Sequence, residues 1–339
     1  MDMHSFDVDR VKYKKNGDTM VAKRAYQADA LLEWVQFWTY YEQASVYTAS
    51  RDEEVHKISY EGHKIWKFEG SDHGVRAVAV DPSGYVYCGG RDAYVRKIDK
   101  NGIQQWKYLI PGSGIRVVGD VAVDADGYVY CVTSDKNIIK IDSNGDEVWV
   151  VSPDDDRTLF SVDVDTDGNV YAGTGETGAG TVYKLDSDGD KVWEYTEHNG
   201  RVYGLVVDNN GNVYSSSDDD EVHKIGSSGG NVWKYTEHSG SVRTVAVDVD
   251  GYVYTGSDDT EVHKVDPSGN NVWKYTENTH NVAAVAVDPE GYVYFNHHAD
   301  EVHKIDSGGN SVWKYKGHAD TIRGIAVAPG RCGAFHGKW

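Results

Sequence analysis

Seven tryptophans set the period of this 339-residue chain. Trp66, Trp106, Trp149, Trp193, Trp233, Trp273 and Trp313 stand 40, 43, 44, 40, 40 and 40 residues apart. Around them the text itself repeats: EVHKIGSSGGNVWKYTEHSGSVRTVAVDVDGYVYTGSDD is followed by EVHKVDPSGNNVWKYTENTHNVAAVAVDPEGYVYFNHHAD. One unit parses into four short β-rich runs: Val242 to Asp248, Tyr252 to Gly256, Glu261 to Asp266 and Asn271 to Tyr275. The turns between them are Asp-, Gly-, Asn-, Ser- and Pro-rich, which supplies the left-handed or fixed dihedrals of tight hairpins. A period of about forty residues with four strands per unit is the pattern of propeller blades.

Side-chain size follows the same geometry. The first strand of each unit carries small and medium residues, such as Val78, Ala79 and Val80 or Val245, Ala246 and Val247. Later strands grow to Tyr85 and Tyr87, then Trp106 and Tyr108. Small inside and aromatic outside is what a wedge widening from a central axis requires. The expected fold is therefore an all-β propeller of four-stranded blades in one domain, residues 1–339.

The sequence reading counts eight blades. Seven sets fall at about 31–68, 75–108, 115–151, 159–195, 202–235, 242–275 and 282–315. The tail TIRGIAVAPG reads as a further first strand and the head DRVKYKKNGDTMVAK as a worn last hairpin. Pairing 6–24 with 320–339 would make an eighth blade and close the ring without an exposed sheet edge. Seven blades with loose ends is the alternative.

The bulk numbers narrow the partners. A net charge of −20, from 54 acidic and 34 basic side chains, repels nucleic acid and anionic membranes. No apolar run is long enough to insert in a bilayer, and the amino terminus lacks the pattern of a signal peptide. The expected location is the cytoplasm or a virion. Cys88 and Cys131 occupy equivalent places in neighbouring units, which argues against a bridge.

The run VAVDPSGYVYCGG…VRKIDKNGIQQWKY resembles the quinoprotein-type (PQQ-like) repeat, and GHADTIRGIAVAPG resembles the start of a WD repeat with its Gly-His dipeptide. Both resemblances imply a propeller, and both families carry many unrelated tasks on it. The WD resemblance implies that the loop histidines, grouped as His73, His198, His238 and His318, pair with an Asp of the following turn, with Asp219 or Asp259 available. The Trp-Asp dipeptide of WD repeats is absent. So is the adjacent Cys pair of quinoprotein enzymes, which weighs against a redox enzyme.

Three groups of candidate site residues follow. Arg76, Arg116, Arg201, Arg243 and Arg323 lie at or beside the start of the innermost strands. They would either bridge blades through Asp218, Asp219, Asp258 and Asp259 or receive an anion at the channel mouth, since guanidinium forks match carboxylates, phosphates and sulfates. Asp154, Arg157 and Glu176 belong to loops in units 3 and 4 that depart most from the repeat, and local deviation on a uniform scaffold marks a site. Asp163, Asp165 and Asp167 offer carboxylates to calcium, although the same turn needs Asp and Gly for backbone geometry alone. No catalytic motif emerges, and no cofactor is expected. The expected function is a non-enzymatic scaffold that presents one loop face to a protein or surface-glycan partner, as an intracellular scaffold or in assembly of a virus or phage particle. A propeller glycoside hydrolase or lyase is the alternative, because two carboxylates could come from separate blades.

Overall fold

The computed structural model describes residues 8–15, 18–25, 38–40, 44–112, 116–153, 157–176, 178–297 and 300–328, with side chains from residue 44 onward except those of Glu176 and His297. Every regular element among them is a strand. Seven four-stranded antiparallel sheets follow one another along the chain. In blade 6 the strands are Val242–Val247 (A), Val253–Ser257 (B), Val262–Val265 (C) and Asn271–Tyr275 (D), and the same A-to-D naming applies to every blade. No described helix is long and apolar enough to cross a membrane.

The ring has seven blades, which corrects the count of eight. The tail strand Ile322–Val327 pairs with Val46–Ser50, so it is strand A of blade 1 and sits beside Val55–Ile58 and Lys64–Phe68. The head does not meet it: Val8–Lys15 pairs with Asp18–Ala25, which pairs with Trp38–Tyr40, in a sheet of their own. The expected device, closure by the far end of the chain, is present, but it completes the first blade instead of building an extra one. The first set, expected to begin at about residue 31, takes its strand A from the tail instead. The segment GRCGAFHGKW lies outside the described residues.

Two devices hold the ring. The first is a turn: in blades 2 to 7 the Asp after strand A binds its own hairpin. Asp81 Oδ1 accepts the backbone N–H groups of Ser83 and Tyr85, and Oδ2 accepts the Tyr87 hydroxyl. The same hydroxyl bond recurs at Asp124–Tyr130, Asp165–Tyr171, Asp208–Tyr214, Asp248–Tyr254 and Asp288–Tyr294. These tyrosines are otherwise buried, and a buried hydroxyl without a partner is costly.

The second device is the tryptophan of strand D, which docks on the next blade. Its indole N–H donates to a carbonyl in that blade's C–D turn: Trp66 to Lys100, Trp106 to Ser143, Trp149 to Ser187, Trp193 to Ser227, Trp233 to Pro267 and Trp273 to Ser307. Trp313 donates to Tyr60 at 2.8 Å, back in blade 1. Thus the set is circular. The turn glycine lies on the ring face: a Cβ built on Gly62, at φ +86, would stand 3.0 Å from Trp313. Only glycine combines that left-handed dihedral with so close an approach.

Beside the seam, the buried Lys304 ammonium lies over the rings of Tyr60 and Tyr292, 3.0 and 4.1 Å from their centroids. Equivalent lysines of strand C sit over strand-B tyrosines in the other blades, as Lys97 does over Tyr87 and Lys264 over Tyr254. Cation–π contact explains why the lysine of the repeated KID or KVD is packed inward.

Trp313→Ala is expected to lower stability in urea by about 3 kcal/mol, the low end of the range for truncating a large aromatic, because the indole is partly buried. Val312→Ala, one residue away and 48% exposed, should stay within about 0.5 kcal/mol of the parent. Equal effects would contradict the dock.

Candidate functional site

A β-bulge near the start of strand A sets the centre of the molecule. In blade 2, Val75 pairs with Gly90 and Ala77 with Gly89, which leaves Arg76 as the extra residue. The same shift occurs in all seven blades and singles out Arg323, Arg76, Gly119, Phe160, Tyr203, Arg243 and Ala283 in ring order. A bulge re-aims the unpaired side chain. These seven residues are the ones lining a cavity of about 310 Å³ at the mouth of the central channel.

Three of the five predicted arginines therefore meet at the mouth, and two do not. Arg116 turns back to the Ile110 carbonyl, and Arg201 reaches the Tyr203 hydroxyl at 3.4 Å and Asp218 at 3.8 Å. Neither is part of the lining. Arg243 is neutralised: its Nε donates to Asp258 at 2.9 Å, and its guanidinium lies 4.3 Å from the Tyr203 ring centroid. Arg323 and Arg76 sit in a different field. Burial and then the neighbouring charges of Arg51, Arg76, Arg91 and Arg243 push Arg323 down to about 10. Burial, Arg91 and Arg51 lower Arg76 as well.

Arg51 and Arg91 are the residues that sequence reasoning missed. They hold the B–C turn position that blades 5 and 6 give to Asp218 and Asp258. Registering the repeats on that turn, instead of on strand A alone, would have revealed the exchange of acid for base.

Behind the mouth, the loop histidines form a repeated network in blades 1, 5 and 6. His198 Nδ1 lies 2.9 Å from Asp219 and its Nε2 2.9 Å from the Ser215 hydroxyl. The carboxylate has no proton to give, so Nδ1–H donates and Nε2 accepts from the serine. His223 of strand C stacks on this ring at 3.7 Å, receives the Tyr195 hydroxyl at Nδ1 and donates from Nε2 to Glu221. His238–His263 and His318–His56 repeat the arrangement. As the WD resemblance implied, Asp219 and Asp259 are the partners, and Asp52 is the third.

His73 does not belong to this set. The register places Ser71 at the loop-histidine position, where its hydroxyl donates to Asp92; His73 is exposed. Strand C of blade 2 then carries buried Arg96, paired with Asp92 at 2.5 Å, in place of a histidine. Blade 3 substitutes Ile110, Cys131 and Ile139, an apolar filling of the same space. Blade 7 places Phe295 beside His303 of strand C, and the buried amide of Asn278, at the loop-histidine position, finds no partner among the described residues.

Among the described residues, the groups whose donor atoms lie close enough to share a metal ion are Glu54–His56–His318, His198–Asp219–His223 and His238–Asp259–His263. Their ring nitrogens are already engaged by protein partners, so a metal would have to displace those bonds. The calcium candidates part company. Asp163 points to the next blade and accepts the Val207 N–H, while Asp165 accepts the N–H groups of Asp167 and Asn169 within its own turn. Of the unit 3–4 loop residues, Arg157 bonds to the Thr181 hydroxyl. Glu176 ends strand B opposite Ala179, and Asp154 lies outside the described residues.

Burial, then the charge of the stacked partner, depresses His56, His223 and His263 to about 4. Between pH 6.5 and 4 the unfolded chain binds protons that these folded rings refuse, so stability falls as pH falls through that window. Each ring adds a slope of at most about 1.4 kcal/mol per pH unit. Urea unfolding across a pH series should show His263→Gln shallower than the parent by up to one proton; an unchanged slope would contradict the neutral buried ring.

A family model described as outer membrane protein assembly factor BamB, a PQQ-like repeat model, matches residues 51–214 and 178–324. Among solved structures, the crystal structure of the WD40 beta propeller domain of Doa1 is similar, with a TM-score of 0.65 and 16% identity over 76% of this chain and 89% of that one. At that identity the likeness concerns the fold alone. No curated protein matches the sequence.

Proposed function

Starting from a chain that belongs to the PQQ-like propeller repeat family described as outer membrane protein assembly factor BamB, we propose a non-enzymatic binding scaffold that holds a protein partner on the face formed by its D–A loops and B–C turns. The observation that carries this reading is the contrast between the two faces. On one, the A–B turn keeps the same Asp–Tyr bond in blades 2 to 7. On the other, the histidine network of blades 1, 5 and 6 gives way to a buried Arg–Asp pair, an isoleucine filling and a phenylalanine in blades 2, 3 and 7.

A ring whose blade contacts are all repeated has rigidity to spare, and variation confined to one face is where specificity would be written. The blade 3–4 loops around Arg116 and Arg157, with Arg201 beside them, supply the charged positions of the docking surface. The finer assignments, an anionic surface glycan or a place on a virus or phage particle, would use this same face.

Capture from the native source with face-specific variants tests the reading. Arg157→Ala and Arg201→Ala together should weaken retention of the captured partner at least about tenfold. Asp126→Ala and Asp188→Ala, on the opposite face, should leave it unchanged. Retention lost only with the second pair would place the partner on the wrong face for this account.

A further inference from the structure

The channel mouth gathers positive charge from two neighbouring blades. Arg323 and Arg76 are adjacent bulge residues of blades 1 and 2, and Arg51 and Arg91 stand on the B–C turns of the same blades. Arg51 and Arg91 lie close enough to Arg323 and Arg76 for their charges to add to burial in lowering the basicity of those two. At the corresponding place in blade 6 the bulge arginine is met by Asp258. In blades 1 and 2 that acid has become a base, and among the described residues no ion pair involves Arg51, Arg76 or Arg91. Like charges held together cost stability, and this protein has 54 acidic side chains to spend on relief. The same two blades place an Asp accurately where one is needed: Asp52 binds His318 and Asp92 pairs with Arg96.

We propose that the channel mouth is a binding site for a compact ligand carrying two or more phosphate or sulfate groups, held by Arg76 and Arg323 of the cavity lining, with Arg51 and Arg91 reinforcing the positive field from the adjoining B–C turns. Guanidinium forks match tetrahedral oxyanions in charge and in hydrogen-bond geometry. The cavity of about 310 Å³ falls at the small end of ligand sites. Gly119 and Ala283 leave its wall open on two sides of the ring, while Arg243 is already engaged by Asp258 and Tyr203. The surroundings select for size. The chain carries a net −20, and Asp218 and Asp258 share the rim, so a broad acidic protein surface would be repelled where a small polyanion can enter the positive lobe alone. The site lies on the face assigned to the partner but depends on different residues.

Calorimetric titration at low salt with inorganic tripolyphosphate and with sucrose octasulfate tests the site. One molecule should bind per chain, and the tighter of the two probes distinguishes a phosphate-bearing from a sulfate-bearing source. Arg76→Ala, in the cavity lining, should weaken binding about tenfold or more and Arg91→Ala, on the adjoining turn, about threefold or more, whereas Arg201→Ala, outside the lining and on blade 5, should change it less than about twofold. Raising salt should weaken binding steeply. No binding of either probe, equal losses in all three variants, or tighter binding of an oligoglutamate peptide of matched charge would overturn the proposal. Partner capture that survives Arg76→Ala and Arg91→Ala would leave the scaffold reading standing whatever the titration shows.

Discussion

The stacking of a strand-D tryptophan on the glycine turn of the next blade is the contact on which the rest of this protein depends. It recurs at every blade junction, and its last member, Trp313 on Gly62 and Tyr60, joins the two ends of the ring. A propeller blade cannot bury both faces by itself, so each junction is also a piece of core. The buried clusters follow that logic: each draws strands from adjacent blades, as Tyr47, Val75 and Ala326 do across blades 1 and 2. Because the junctions are alike, the strands approach the axis at a regular spacing, and the bulge in strand A then presents one side chain per blade to the channel.

That regularity makes the exceptions informative. Where a blade keeps the stacked histidines, its loop, turn and strand C are tied into one hydrogen-bonded unit, and its carboxylates are spent. Blade 2 replaces the stack with Arg96, fully sheltered and compensated by Asp92, and keeps Arg91 in the place of an acid. Polarity at the channel mouth is thus decided by few substitutions, with Arg323 and Arg76 facing other arginines while Arg243 faces Asp258. The backbone is shared; the charge pattern belongs to individual blades.

Much of the fold was legible because the repeat is long, aromatic and punctuated by glycine. The tryptophan period fixed the blade, and the size gradient from Val245 to Trp273 fixed its direction. The count failed for a specific reason. Periodicity shows how many units there are, but not whether a terminal strand starts a new blade or completes an old one; that depends on pairing between Ile322–Val327 and Val46–Ser50, far apart in the chain. The site was legible in part. Arg76, Arg243 and Arg323 could be found from their place at the start of strand A, whereas Arg201 and Arg116 stand two and three residues before the bulge and are turned elsewhere. Spacing also misplaced His73, because the loop before blade 2 differs in register from those before blades 5 and 6. Asp165 binds the N–H groups of its own turn, while Asp163 has a role between blades that no local motif announces.

The central claim is that the chain end completes blade 1 and locks the ring. Native-state hydrogen exchange tests it most directly. The amides of Ile322–Val327 should open only with the free energy of the other innermost strands, such as Val242–Val247, and lose protection together with Val46–Ser50. Exchange of Ile322–Val327 at the rate of a frayed terminus, with Val242–Val247 still protected, would contradict the closed seven-bladed ring.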